Sequence, residues 1–320
     1  MLKSIVVFGG AGFIGTHLLR RLASKGANQI ISFDLRDPKE RLPGVIYRVA
    51  DVRNLQQVNM ESGVARIYNL AAIHTTPGHA DHEYFETNVA GALEVTSFAA
   101  RHGVPEIIFT SSISVYGPGE SGKTEETPLE PTSSYGHSKA LAERIHQNWF
   151  DGDSNRRLTI VRPAVVFGKG EGGNFTRLAR LLQRGFFVYP GRKNTVKACI
   201  YVGDLLDAIE FARSCPERFV LFNACYPDRY TIEDIVSAFR SISFPNTREF
   251  LVPESTVKAA AAVLKPFSAL GLGIHPDRVM KLVRSTDIVP GWLQSKGQAQ
   301  LGRLHSALMD WRKESSGLFN

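Results

Sequence analysis

The chain has 320 residues, 43% of them hydrophobic and 22% charged, with a formal net charge of +7. That size and balance exclude a disordered chain and leave room for one large or two modest domains. The basic excess suits an anionic ligand, but no long Lys/Arg block marks a nucleic-acid surface, and Cys199, Cys215 and Cys225, without metal-site spacing, read as reduced thiols of a cytoplasmic protein.

Lys3 followed by an apolar run imitates a leader peptide, but the glycines that end the run account for it better. The run Ile5 to Phe8 reads as a strand that stops at Gly9-Gly10. Gly12, Phe13, Ile14 and Gly15 follow, and a helical pattern runs from Thr16 to Lys25, ending at Gly26. Strand, glycine-rich turn and helix are the parts that seat a pyrophosphate on free backbone N–H groups at a helix N-terminus. Gln29 to Phe33 is a second strand ending at Asp34, and Gly44 to Ala50 a third, followed by Asp51-Val52. Ala65 to Leu70 is a fourth, followed by Ala71 and Ala72. A helix fits Tyr84 to His102. Glu106 to Thr110 is a fifth strand running into Ser111 and Ser112, a helix fits Ser134 to Phe150, and Leu158 to Arg162 is a sixth strand. Apolar strands alternating with helices predict an α/β fold with a doubly wound, Rossmann-type parallel sheet.

After Pro163 the rhythm breaks. Gly168 to Gly173 reads as a loop. Helices are predicted at Asn174–Gly185, Val202–Ala212 and Thr231–Ile242, with Thr231 as N-cap, and a strand at Phe219–Ala224. Further helical stretches fall at Ser255–Leu264, Pro276–Arg284 and Leu301–Lys313. The predicted organisation is a dinucleotide-binding domain over 1–165, rejoined by 196–225. A smaller, mostly helical substrate domain takes 166–195 and 226–320. The apolar stretch Val257 to Ile274 contains Lys258, Lys265 and Pro266, which argue against a membrane-spanning helix. It reads as a buried or partner-facing helix, with association at a membrane surface as the alternative.

Asp34 lies 19 residues after Gly15, where a carboxylate can accept hydrogen bonds from the adenosine ribose of NAD. Arg36 and Arg41 nearby leave NADP open. Asp51 and Val52 are placed to meet the adenine, or Asp51 simply caps a turn. Tyr135 and Lys139 are four apart and share a helix face, so an ammonium can lower the phenol pKa and make Tyr135 an acid/base, while Ser112 at a strand end holds the same substrate oxygen. His74, His79 and His82 crowd one loop, but their spacing closes no metal site, and none is predicted.

Gly9–Gly15, Asp34, Asn69-Leu70-Ala71-Ala72, Asn88-Val89-Ala90-Gly91, Ser111–Gly117, Tyr135–Lys139 and Arg162-Pro163 occur in the order seen in extended short-chain dehydrogenases/reductases. The chain most resembles their nucleotide-sugar branch, the NAD-dependent epimerase/dehydratase family, from residue 1 to about 210. The resemblance implies catalytic roles for Ser112, Tyr135 and Lys139, and cofactor contacts from Ala71, Ala72, Asn88, Lys139 and Pro163. It implies substrate contacts from Ser112, Ser114, Asn174, Lys197 and Arg278, with Arg284 as an alternative to the last. For Asn174 a plain N-cap is an equal reading. Ile113 and Ser114 stand where dehydratases carry Asp-Glu, which disfavours loss of water. Val165 and Asn69 also depart from the usual epimerase pattern.

The expected activity is an NAD-dependent epimerase that oxidises and re-reduces a sugar carbon, C4, through a keto intermediate. The alternatives are a keto-sugar reductase using NADH or NADPH, a dehydrogenase of another small alcohol, and a non-catalytic dinucleotide sensor. The family also implies a cytoplasmic homodimer through the two helices Tyr84–His102 and Ser134–Phe150, with no nucleic-acid partner, and a role in polysaccharide synthesis.

Overall fold

Strand β1 (Ser4–Phe8) is buried at every position, as an apolar run with neighbours on both sides must be. It pairs in parallel with β2 (Ile30–Asp34) on one side and β4 (Val64–Asn69) on the other. β3 (Val45–Val49) extends the sheet beyond β2. On the far side β5 (Glu106–Thr110) and β7 (Arg157–Pro163) follow in parallel, and β11 (Phe219–Ala224) completes the seven strands. The order β3-β2-β1-β4-β5-β7-β11 reverses direction between β1 and β4, the place where open α/β sheets leave a crevice at their C-terminal ends. The Rossmann-type sheet expected from sequence is therefore present. These elements belong to a computed structural model that describes residues 3–26, 29–75, 78–253, 255–256 and 283–320. The helices predicted at 255–264 and 276–284 fall almost wholly outside them, as does Arg278. Among the described residues no helix is long and apolar enough to cross a membrane.

Helix α1 (Phe13–Lys25) begins inside the glycine motif, three residues before the predicted start, and ends at Gly26 in the left-handed conformation. Helix α2 (Asp81–Arg101) also starts early, because Glu83 accepts the Ala80 backbone N–H at 3.2 Å and caps the first turn. The core beneath α2 is aromatic: Phe8 stacks on Phe33 at 5.4 Å and meets Phe98 edge-on at 5.6 Å.

The chain forms two compact units. One comprises residues 1–117, 128–163 and 202–222, and the other 118–127, 164–201 and 223–320. Against the predicted boundaries, residues 118–127 leave the first unit and the return to it begins at Val202. The second unit holds α4 (Asn174–Gln183), α6 (Ile232–Ile242), α7 (Gly291–Ser295) and α8 (Arg303–Glu314), while α5 (Val202–Ser214) belongs to the first. Thr231 caps α6, accepting the Asp234 N–H at 3.1 Å, while Asp234 accepts the Thr231 N–H at 2.8 Å. Among the described residues six short strands share this unit with its helices. β6 (Gly119–Lys123) pairs with β13 (Thr286–Ile288), β8 (Val165–Phe167) with β10 (Cys199–Tyr201), and β9 (Phe186–Gly191) with β12 (Arg248–Pro253). Strands this short and paired this far along the chain leave no periodicity to read.

Helix α3 (Ser134–Asp151) turns three polar side chains inward. Lys139 Nζ donates to Thr110 O at 2.7 Å. Glu143 accepts Arg162 Nε and Nη2 at 2.8 and 2.7 Å. His146 stacks on Phe109 at 4.1 Å between centroids. The carbonyl of Ala142, 2.8 Å from His146 Nδ1, assigns the proton to that nitrogen and leaves Nε2 to accept from Asn69 Nδ2 at 3.2 Å. Burial drives the His146 pKa down to about 4 from 6.5; the Ala142 carbonyl opposes the shift and Lys139 adds to it. The folded chain thus keeps His146 neutral where the unfolded chain is already taking up a proton, so stability is lost as pH falls from 6.5 to about 4. Urea unfolding across that window should show a slope of about 1.4 kcal/mol per pH unit from this residue. His146→Phe should flatten it, and an unchanged slope would remove His146 as its source.

Candidate active site

The glycine motif folds as a cradle. Gly9 has φ +82°, and a Cβ there would lie 2.7 Å from the backbone N of Ala71. At Gly15 a Cβ would lie 2.3 Å from Gly9 O. Larger residues would fill the space between the end of β1, the end of β4 and the start of α1. Gly12 is the N-cap of α1 and supplies no side-chain cap, so the first-turn amides of Phe13, Ile14 and Gly15 face outward without one. This is the geometry a dinucleotide pyrophosphate requires. Asp34 is tied to the same turn: its Oδ2 accepts Ala11 N–H at 3.0 Å and its Oδ1 accepts Arg36 N–H at 3.1 Å. Arg36 Nε stands 3.8 Å from Oδ1. A small open hollow lies here, lined in part by Ala11, Asp34, Arg36, Arg41 and Arg48. Arg41 pairs with Asp37 at 2.9 Å and lies over the Tyr47 ring.

The second cluster forms where β5 ends. Ser112 Oγ accepts the Ser114 N–H at 3.1 Å, lies 3.1 Å from Ser114 Oγ, and stands close enough to Tyr135 to pull its pKa down. Tyr135 sits in the first turn of α3, capped by Ser133 through the Gly136 N–H. Gly136 lets that turn close on the strand end, since a Cβ would lie 2.5 Å from Ser114 O. One turn on, Lys139 is buried against Thr110 O, with Nζ 4.7 Å above the Phe109 ring. The structure thus brings Ser112, Ser114, Tyr135 and Lys139 to one strand end. It corrects the expected direction of the phenol pKa. Burial pushes Tyr135 up to about 12, Ser112 pulls it down, and Tyr84 raises it, so the phenol holds its proton. Burial pulls Lys139 down to about 7, against the carboxylate of Glu143.

Asn88 on α2 grips the loop after β4. Its Oδ1 accepts Ile73 N–H at 3.0 Å, and its Nδ2 donates to Ile73 O at 3.1 Å and to Ser138 Oγ at 2.9 Å. It therefore links the loop that follows Ala71 and Ala72 to α3. Asp51 is held by Arg53, 3.0 Å from Nε and 2.6 Å from Nη2, which keeps its carboxyl below the usual range. The Val52 side chain is buried in the core and faces Gly91, leaving only its backbone to meet a ligand. Pro163 closes β7. His79 pairs with Glu83 at 3.0 Å, and among the described residues no His/Cys/Asp/Glu group converges to hold a metal.

In the second unit, Asn174 is the first residue of α4 and exposed. The N-cap is Gly173, and Glu171 caps the first turn through Thr176 N at 3.0 Å, so Asn174 is not the cap. Lys197 is half-buried and bonded to Arg284 O. Burial draws its pKa down to about 8, with Arg192 adding to the shift and Glu120 opposing it. Arg278 lies outside the described residues.

Sequence reasoning missed the group behind the strand end. Arg162 joins Glu143 and also donates to the Tyr116 hydroxyl at 2.6 Å, with its guanidinium 4.9 Å over the Tyr116 ring. Burial works against the Arg162 charge, but Glu143 and Tyr116 outweigh it and hold the pKa above its usual value. Arg162 was legible as part of a motif, but its partner, 19 residues earlier on α3, was not.

Residues 5–223 match the sequence model of the NAD dependent epimerase/dehydratase family. Over 216 residues the chain is 31% identical to N-acetyl-alpha-D-glucosaminyl-diphospho-ditrans,octacis-undecaprenol 4-epimerase of Escherichia coli O157:H7, covering 66% of this chain and 63% of that protein. It is 28% identical to UDP-glucose 4-epimerase of Vibrio cholerae, covering 65% and 66%. The chain thus spans slightly less than two thirds of these relatives' length. In structure it is similar to MoeE5 in complex with UDP-glucuronic acid and NAD, with a TM-score of 0.76 over 98% of this chain and 100% of that one, at 22% identity. The match over 5–223 covers most of the chain, and the protein belongs to the NAD dependent epimerase/dehydratase family.

Proposed function

We propose that the protein is an NAD-dependent epimerase acting at C4 of a nucleotide sugar. The observation that carries the reading is the nearness of Tyr135, in the first turn of α3, to Ser112 at the end of β5, with Lys139 one helical turn away. NAD, when bound, takes up and returns the hydride at the sugar carbon, and its oxidised ring adds a positive charge that favours phenolate. Gly9, Gly12 and Gly15 with the α1 amides would hold its pyrophosphate, and Asp34 its adenosine ribose. Tyr135 takes the C4 hydroxyl proton as the carbon is oxidised and gives it back when the 4-keto sugar is reduced from its other face. Ser112 holds that oxygen, with Ser114 steadying Ser112. Lys139 holds the nicotinamide ribose and favours phenolate when charged. Asn174, Lys197 and Arg278 would meet the substrate diphosphate. Ile113 and Ser114 carry no ionisable group for dehydration. A second reading replaces the nucleoside with a polyprenyl carrier, because the Escherichia coli relative is named for such a substrate.

Purified protein incubated with UDP-, GDP- and dTDP-sugars and followed by NMR should yield the C4 epimer with no net change in cofactor. Stoichiometric consumption of NAD(P)H would instead make it a reductase. Tyr135→Phe should lower kcat by about 10²–10⁴-fold with little change in cofactor binding. An unchanged rate would remove Tyr135 from the chemistry. Asp34→Ala should weaken NAD binding while sparing the Ser112–Tyr135 pair, read by cofactor titration.

The same reading makes the protein a cytoplasmic homodimer through α2 and α3, serving polysaccharide synthesis. Leu93 on α2 and Leu141 on α3 are exposed apolar residues that would be covered in such a contact. Light scattering should give a dimer mass that Leu141→Glu shifts toward monomer. A monomeric wild type rejects this part of the reading.

A further inference from the structure

Helix α4 carries no acidic residue, and its exposed side is basic. Arg177, Arg180 and Arg184 recur at spacings of three and four, with Leu181, 37% exposed, among them. Gly185 then leads into β9, where side chains alternate between two faces. Phe187 and Tyr189 point one way, packed edge-to-face at 4.8 Å, and Tyr189 donates to Glu249 of β12. Phe186 and Val188 point the other way. The register sets Arg248 beside Phe186 and Phe250 beside Val188, so all four share the outer face. There Phe186 is 45% exposed, Val188 39% and Phe250 53%. Arg248 N donates to Gly185 O at 2.9 Å, joining the ribbon to the end of α4.

Two properties of this surface call for a ligand. Phenylalanine, valine and leucine are left in water beside the arginines, while on the opposite face of the ribbon Tyr189 is buried and Leu251 is exposed. In addition, none of Arg177, Arg180, Arg184 and Arg248 has an ion pair or side-chain hydrogen bond among the described residues. By contrast, the nearby Arg240 and Lys193 both pair with Glu249 on the inner side. Unpaired arginines interleaved with exposed apolar side chains fit the headgroup region of an anionic bilayer, where guanidinium groups meet phosphate and apolar side chains enter the acyl boundary. A nucleic acid would use the arginines but not Val188 and Leu181. An acidic protein would satisfy both, but nothing on this surface favours a defined shape over a fluid one.

We infer that the outer face of α4 and the β9–β12 ribbon docks the protein on an anionic lipid surface. The binding stands apart from the catalytic reading, and its use would be to present α4, with Asn174 at its start, to a sugar diphosphate held in the membrane.

The full-length protein, without substrate, is mixed with phosphatidylcholine vesicles and with vesicles containing phosphatidylglycerol, then sedimented. It should sediment with the second kind only, and less as salt rises. Arg177→Gln/Arg180→Gln should weaken that binding about fivefold per arginine. Phe186→Ser/Phe250→Ser should weaken it about tenfold or more. Each variant's far-UV circular dichroism and thermal midpoint should match the wild type. If either variant fails to fold, Phe250→Trp reports instead, its emission shifting to the blue with anionic vesicles. Absence of wild-type sedimentation, equal sedimentation of folded variants, or an unmoved tryptophan spectrum would each overturn the proposal. Binding to nucleic acid or self-association with vesicles ignored would do the same. Because no turnover is read, a protein that binds vesicles but epimerises nothing would count against the function alone.

Discussion

Three buried polar groups on one face of α3 fix the site. Lys139, Glu143 and His146 lie on that face, and each engages a different strand of the sheet: β5 through Thr110, β7 through Arg162 and β4 through Asn69. A buried polar group left unsatisfied costs about 1–3 kcal/mol, and more when charged. A helix held by three such bonds cannot rotate or slide by one residue without losing all of them. Its first turn is fixed as a result, and with it the position of Tyr135 beside Ser112. Apolar packing alone tolerates small shifts; these directional contacts do not.

The same burial sets the charge state of the cluster. It pushes the Tyr135 phenol upward and the Lys139 ammonium downward, each toward its uncharged form. The ligand-free strand end is therefore held near neutrality, with Glu143 already neutralised by Arg162. On the proposed function, an oxidised nicotinamide bound there would shift that balance toward phenolate, and Tyr135 would be readied only with the cofactor in place.

What could be read from sequence was local. The glycine turn, Asp34 and the Tyr135/Lys139 pair are each fixed by spacing within one element or across one turn, and the strands of the first unit are apolar runs long enough to recognise. Glu143 was invisible as a site component, because a glutamate in a helix reads as solvated until its partner on β7 is known. Arg53, two residues on, donates to both oxygens of Asp51, a pairing that spacing alone does not announce. The phenol pKa was judged from one neighbour, while the larger effect, burial, depends on the whole surrounding fold. In the second unit, three-residue strands such as Val165–Phe167 carry no pattern, and Asn174 read equally as a diphosphate contact or a cap, the second ruled out only by Glu171 capping that turn through Thr176.

The pairing of β6 with β13 has a kinetic consequence. Glu120 and Ser285, bonded where these strands meet, are 165 residues apart. β9 and β12 likewise join segments with α5, β11 and α6 between them. Contacts this distant in sequence are slow to form, because the entropy of closing the loop is lost before the pairing gives anything back. The first unit can assemble strand by strand as the chain is synthesised, but the second cannot close until residues 286–288 are available. Until then the β6 edge and its neighbours stay unpaired, so the interval before closure is when this chain is most open to misassembly.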